Sequence, residues 1–180
     1  GGAVVFNQDG LVNVAGGTVL TLTGLVGGFT NNATGVIQGT GTINLVGGTL
    51  TNDGAVWPGG AGTVGTLSIT GNYSQGAGGS LDVDLQSAAS YDVLAVNGSA
   101  TLGGTLNASY LGGYTAATGA GHPVLTYASQ TGTFATITDL QAQSASYGGT
   151  VFSLIGAVGG VSWDNGASDF LWTSALNWST

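Results

Sequence analysis

The sequence predicts an all-β fold in which short coils of chain stack into a parallel β-helix. Three observations carry that expectation. Glycine supplies 36 of 180 residues, roughly three times its usual share of about 7%. Apolar residues alternate with Thr, Asn, Ser and Asp in short runs between glycines, the period of a half-buried strand. No stretch presents an apolar helical face free of Gly or β-branched runs.

The strands follow in order along the chain. Gly10–Val14, Thr18–Leu22, Thr42–Val46, Thr66–Ile69, Ser80–Leu85, Asp92–Val96 and Thr133–Ile137 each set Leu, Ile, Val or Phe on one face. The alternation turns Leu67, Ile69, Leu81, Val83, Leu94 and Leu106 inward. Between the strands a tetrapeptide Gly-Gly-[Thr/Ser]-[Val/Leu] recurs at 16–19, 47–50, 78–81, 103–106 and 148–151. Repetition of that kind marks a solenoid, whose coils bury their apolar faces only by stacking. At about 20–25 residues per coil the chain would hold roughly eight coils, a rod of about 40 Å. A β-sandwich also uses short strands at such spacings and stands as the alternative.

Composition excludes several functions. Lysine, arginine, cysteine, methionine and glutamate are absent, and eight aspartates set the net charge at −8. Nothing can replace counterions on nucleic-acid phosphates, clamp a transferring phosphoryl group or form a disulfide. The most apolar stretch, Val151–Trp163, is shorter than the about 20 residues of a spanning helix, so no membrane insertion is expected. Without an initiator Met, Gly1 is expected to follow processing or excision from a longer chain. The lack of Lys and Arg suits a secreted surface, since it leaves no cleavage site for a trypsin-like protease.

Residues from about Leu50 to Phe134 resemble the C-terminal passenger region of bacterial autotransporters of the pertactin-like type. The resemblance is carried by Val56-Trp-Pro-Gly-Gly60, Gly65-Thr-Leu-Ser-Ile-Thr-Gly-Asn-Tyr-Ser-Gln75 and Gly78-Gly-Ser-Leu-Asp-Val-Asp-Leu85. It continues through Tyr91-Asp-Val-Leu-Ala-Val-Asn-Gly98, Ala100-Thr-Leu-Gly-Gly-Thr-Leu106 and Gly132-Thr-Phe134. It implies a right-handed parallel β-helix on, or secreted from, a bacterial cell. The tail, from Trp163-Asp-Asn-Gly through Trp172 to Asn177-Trp-Ser179, resembles the spacer that opens units in large tandem-repeat surface proteins. The expected organisation is one rod over 1–162 and a Trp-rich segment over 163–180.

Residues with chemistry are few. His122 is the sole imidazole and reads as a turn residue before a strand, with no Gly-x-Ser-x-Gly elbow in the chain. Asp82 and Asp84 share one strand face, a spacing of about 7 Å that permits paired-carboxylate hydrolysis. With Asp92 they are a candidate Ca²⁺ site, the one metal the sequence suggests. A solvated face is the plainer reading. Trp57, Trp163, Phe170, Trp172 and Trp178 offer either a sugar-stacking platform for surface glycans or packing contacts. Five Asn-x-Ser/Thr sequons, at Asn32, Asn72, Asn97, Asn107 and Asn177, are potential glycan acceptors.

The expected function is therefore non-enzymatic: an extracellular structural rod that associates end to end, head to tail, into a filament. Val4, Val5 and Phe6 at one end, and Trp163, Phe170, Trp172 and Trp178 at the other, are the expected contacts between copies. An adhesin or carbohydrate-binding module is the second possibility. A polysaccharide-degrading β-helix enzyme is the third, and such chemistry commonly needs a basic residue that this chain lacks.

Overall fold

The computed structural model describes residues 6–25 and 28–157, with two further short strands at 162–163 and 178–179. The chain winds through three strand faces. The first stacks β1 (Phe6–Gln8), β4 (Phe29–Asn31), the ends of β6 (Thr42–Asn52) and β8 (Thr66–Gln75), β12 (Ser99–Leu102) and β15 (Ser129–Gly132). The second stacks β2 (Leu11–Val14), β5 (Val36–Gly39), β7 (Ala55–Pro58), β9 (Ser80–Ser87), β13 (Thr105–Tyr110) and β16 (Thr136–Asp139). The third stacks β3 (Val19–Thr21), the starts of β6 and β8, β11 (Val93–Val96) and β14 (Gly121–Thr126). Every pairing within these three stacks is parallel, and the short β10 (Ser90–Tyr91) folds back antiparallel on the end of β9. This is the β-solenoid that the alternation predicts, and not a sandwich.

Stacking in register turns each inward position into a ladder. On the second face Val12, Ile37, Val56, Leu81, Leu106 and Ile137 follow one another. The first face contributes Phe29, Leu50, Tyr73 and Ala100, and the third Leu67, Leu94 and Leu125. All six residues expected inside (Leu67, Ile69, Leu81, Val83, Leu94 and Leu106) are at most 1% exposed. Each such side chain contributes about 1.5–3 kcal/mol of apolar burial, with the extended-chain reference making that an upper figure.

One corner of the rod is polar inside. Gln8, Asn31, Asn52 and Gln75 occupy the same position on successive rungs and are buried. Gln8 Nε2 donates to Asn31 Oδ1 at 3.1 Å, and Asn31 Nδ2 to Asn52 Oδ1 at 2.8 Å. Asn52 Nδ2 donates to the Tyr73 hydroxyl at 3.2 Å, and that hydroxyl donates to Gln75 Oε1 at 2.7 Å. Gln75 Nε2 ends the run on the carbonyls of Gly103 and Thr105. Every link donates towards the C-terminus. The amides also bind backbone carbonyls at the corner, so groups that cannot join a strand ladder are satisfied.

Among the described residues the first two faces hold six rungs each, about 25 Å from first to last at the usual strand spacing, and not eight. Two features of the chain account for the difference. Coils lengthen along the rod: Gln8 to Asn31 spans 23 residues, whereas Thr101 to Thr131 spans 30. Beyond β16 the chain leaves the solenoid. β17 (Ser144–Tyr147) and β18 (Val151–Ile155) form an antiparallel hairpin, and β18 runs antiparallel to β14. The repeated Gly-Gly tetrapeptide does not mark the coils either. It precedes a third-face strand at Thr18-Val19, a first-face strand at Thr49-Leu50, second-face strands at Ser80-Leu81 and Thr105-Leu106, and the hairpin strand at Thr150-Val151. Its chemistry turns any corner. At Gly39, where φ is +117°, an added Cβ would meet the Val14 carbonyl one coil below, so both conformation and space demand glycine. The strand expected at Thr133–Ile137 forms as β16, three residues later, because Phe134 folds into the core at the corner.

Candidate functional site

Of the three candidate calcium ligands, Asp84 and Asp92 lie together and Asp82 stands apart. Asp82 faces outward from β9, held by Ser80 Oγ at 2.7 Å and by Asn107 Nδ2 of the next rung at 2.7 Å. Asp84, two residues on, is covered by the loop over 59–65 and only 2% exposed. Asp92 is fully buried beside it. Asp84 Oδ2 accepts the Gly62 N–H at 2.8 Å, and Asp92 Oδ1 accepts the Gly65 N–H at 2.7 Å. The second oxygen of Asp92 accepts the Asp84 N–H at 2.9 Å, and the Asp84 carbonyl accepts the Asp92 N–H at 2.8 Å. The pair therefore clamps a glycine loop through its exposed N–H groups, which only residues with open backbones present so densely. Among the described residues no three His, Cys, Asp or Glu side chains converge on a metal position. N–H donors aimed at both Asp92 oxygens favour a carboxylate that accepts hydrogen bonds and disfavour a cation there.

Burial sets the electrostatics of the clamp. Desolvation pushes the Asp92 carboxyl up to about 7, against the N–H groups of Asp84 and Gly65, and the neighbouring Asp84 charge adds to the rise. Burial likewise raises Asp84, opposed by the Gly62 N–H and helped by Asp82. In the sequence Asp84 and Asp92 look unrelated to the loop. The signal was available in the unbroken glycine-rich stretch Gly59-Gly-Ala-Gly-Thr-Val-Gly65, whose N–H groups need acceptors.

His122 is no turn residue. It lies within β14, fully buried, where its Nε2 meets the Tyr114 hydroxyl at 2.8 Å and its Nδ1 meets Gln143 Oε1 at 3.1 Å. The network runs on from Gln143 Nε2 to the Tyr110 hydroxyl, which donates to Asp139. Asp139 also accepts the N–H groups of Gln141 and Gln143, each at 2.8 Å. Tyr91 and Tyr114 set their edges against the imidazole at centroid distances of 5.5 and 5.7 Å. The cluster ties the long coil after β13 to the turn before β17. It is a polar plug with no opening to solvent at the imidazole.

Other candidates are placed as follows. Trp57 is half-buried on β7, and its indole N–H is buried without an acceptor. Asn32 and Asn107 donate their sequon amides to Asp9 and Asp82. Asn72 and Asn97 turn their side-chain carbonyls to the N–H groups of Ser99 and Gly71. Val4, Val5, Phe170 and Trp172 lie outside the described residues, and of Trp163 and Trp178 only the antiparallel backbone pairing of Ser162–Trp163 (β19) with Trp178–Ser179 (β20) is described.

Phe6 stands at the open first coil. There Phe6, Leu11, Val12, Val14, Leu20 and Leu22 line a concavity of about 540 Å³. Phe6 is 45% exposed, Leu11 63% and Val19 60%. β1 and β2 are the outermost strands of their sheets, so their outer backbone groups have no strand beyond them among the described residues. The opposite end differs. There Phe134, Tyr147 and Phe152 pack together, with Phe152 at 5.1 Å from Phe134 and 4.7 Å from Tyr147, and the hairpin lies across them. No helix among the described residues is long and apolar enough to cross a membrane. No protein-family model, curated protein or solved structure matches this chain.

Proposed function

We propose that the chain is a non-enzymatic structural module, a β-solenoid rod of a bacterial surface or secreted protein that associates through its coil ends. One observation carries the reading: among the described residues, most of the side chains with chemistry are engaged in holding the coils. Asp84 and Asp92 pin a loop, Asp82 bridges rungs, and Asp139 and His122 lock the last coils. An active site needs such groups facing a substrate. The extracellular placement rests on the passenger resemblance over residues 50–134 and on the lack of Lys and Arg. The interior placement of Tyr73, Tyr127, Phe134 and Phe152 favours packing over a sugar-binding row.

The test pairs stability with activity. Asp92→Ala and His122→Ala are expected to lower Tm, while wild type neither retains nor depolymerises acidic or neutral polysaccharides in a glycan array and a reducing-end assay. Turnover abolished by either variant, with Tm unchanged, would refute the structural reading. End-on association has two forms. A head-to-tail contact leaves both outer ends open and grows into a filament, whereas a contact between like ends closes on itself.

A further inference from the structure

We infer that the first face of the rod is an ice-binding surface, with the ordered water of an ice crystal as its partner. The outward positions of that face form two columns of small uncharged side chains. One column runs Asn7, Thr30, Thr51, Ser74, Thr101 and Thr131. The other, two residues earlier on each strand, runs Thr49, Asn72, Ser99 and Ser129. Leu50, Tyr73 and Ala100, the residues between the columns, are buried, so both columns point away from the core. Four successive rungs therefore each present a pair of hydroxyl or amide groups.

The other two faces meet the same solvent and do not share this pattern. Outward positions of the second face include Val36, Trp57 and Asp82. Those of the third include Val19 and Ala95, and a groove of about 250 Å³ lies between Ser68 and Thr126. Among the described residues the aspartates also stay off the first face. Asp9 and Asp53 follow its strands at the corner, Asp82, Asp84 and Asp139 belong to the second face, and Asp92 is buried. Solvation alone asks only for polarity. Uniform small size without charge is a property of one face.

The spacing identifies the partner. Rungs lie about 4.8 Å apart and alternate residues along a strand about 6.6 Å apart, so strands in register set the two columns on a rectangular grid. The prism plane of ice repeats its oxygens at spacings within about a tenth of both. A peptide or glycan chain would lie along one column, whereas a crystal plane meets both. The grid is also fixed before contact, which reduces the ordering cost of binding. The Thr101 and Thr131 hydroxyls lie 3.3 Å apart, and Ser99 Oγ donates to Asn72 Oδ1 at 3.0 Å. Each of these oxygens keeps capacity for a water molecule, and threonine is stiff at χ1. A charged group would have to surrender its own hydration to a crystal, at much greater cost than a hydroxyl.

Growth of a seeded ice crystal in a solution of the whole chain tests the assignment. Wild type is expected to facet the crystal and to hold it from growing over an interval below its melting point. Thr101→Tyr and Thr131→Tyr each place a bulky ring on an exposed grid position and should remove most of that interval. Thr70→Tyr on the third face and Thr138→Tyr on the second should leave it unchanged. Circular dichroism should match wild type in all four, and if one grid variant does not fold the other decides. Crystals that grow as unfaceted discs with no such interval in wild type would overturn the inference. An equal loss in the Thr70 or Thr138 variant would also overturn it, by moving the effect off the first face. Retention on crystalline cellulose without any effect on ice would do the same. None of these outcomes depends on whether the coil ends associate.

Discussion

The two ends of the rod are finished in different ways. At the first coil, buried amides close a polar corner while the inward Val12, Leu20 and Leu22 are only half-buried. At the last coil, an antiparallel hairpin and the rings of Phe134, Tyr147 and Phe152 shut the interior, and a buried network around His122 ties the turns together. Solenoids need a cap because a coil's inner surface is apolar. Among the described residues a cap is present at a single end. Among the described residues, therefore, the last coils are covered and the first coil is not, and the two ends are expected to differ in how tightly they are held.

The largest effect that could break this contrast is a pair of truncations. Phe152→Ala, at a fully buried ring under the hairpin, is expected to cost about 3–5 kcal/mol. Phe6→Ala, nearly half exposed, should cost under about 1 kcal/mol in the monomer. Urea melts of both variants, at a dilution that keeps the chain monomeric, measure the difference. Equal costs would mean that the first coil is held as tightly as the last.

A second test lies between the ends, at the loop clamp. Asp92 is raised to about 7 in the fold, above its unfolded value of about 4. The folded state therefore binds more protons between those pH values, so stability falls as pH rises from about 4 to about 7 and levels off above. Tm should be higher at pH 5 than at pH 8, with Asp84 acting in the same direction. Asp92→Asn should flatten this slope, though it turns an amide N–H against the Asp84 N–H and lowers Tm overall. A slope unchanged in the variant would assign the pH dependence elsewhere.

Smaller effects sharpen the picture of the amide corner. Tyr73→Phe removes the hydroxyl between Asn52 and Gln75, leaving Gln75 Oε1 without that donor, and should cost about 1–3 kcal/mol. Amide exchange would show the loss centred on the third and fourth rungs. Smallest is a gain. Val46 sits at φ +51° on an exposed corner, a conformation a β-branched residue adopts only under strain. Val46→Gly should raise stability by about 0.5–1 kcal/mol, the relieved strain exceeding the flexibility that glycine adds to the unfolded chain. A destabilised variant would show that the corner depends on the valine side chain.

The inner ladders are legible in the sequence because alternation fixes which side of a strand is buried. Leu81 and Val83 need no knowledge of what lies above them. The coil count is not legible, since the Gly-Gly tetrapeptide answers to corner geometry and corners differ from coil to coil. A better ruler is present in Gln8, Asn31, Asn52 and Gln75, polar residues closing apolar strands one coil apart. The cap escapes a sequence reading because Ser144-Ala-Ser-Tyr147 has little apolar alternation, and its strand character comes from pairing with β18. Asp84 and Asp92 stand out among the aspartates, but their purpose depends on a loop more than twenty residues earlier in the chain. Asp82, grouped with them by spacing, belongs to a different set of contacts.

The direction of the coil-to-coil bonds has a mechanical consequence. Both the strand pairing and the amide links run along the rod axis, so tension between the two termini loads the coils in series and peels them singly. A coil of 23 residues adds about 4.8 Å to the folded rod but about 75–80 Å once drawn out straight. Peeling should begin at the open coil, where burial is least, and stop last at the hairpin. Under load the rod would act as a reserve of slack, lengthening by whole turns while its far end stays folded.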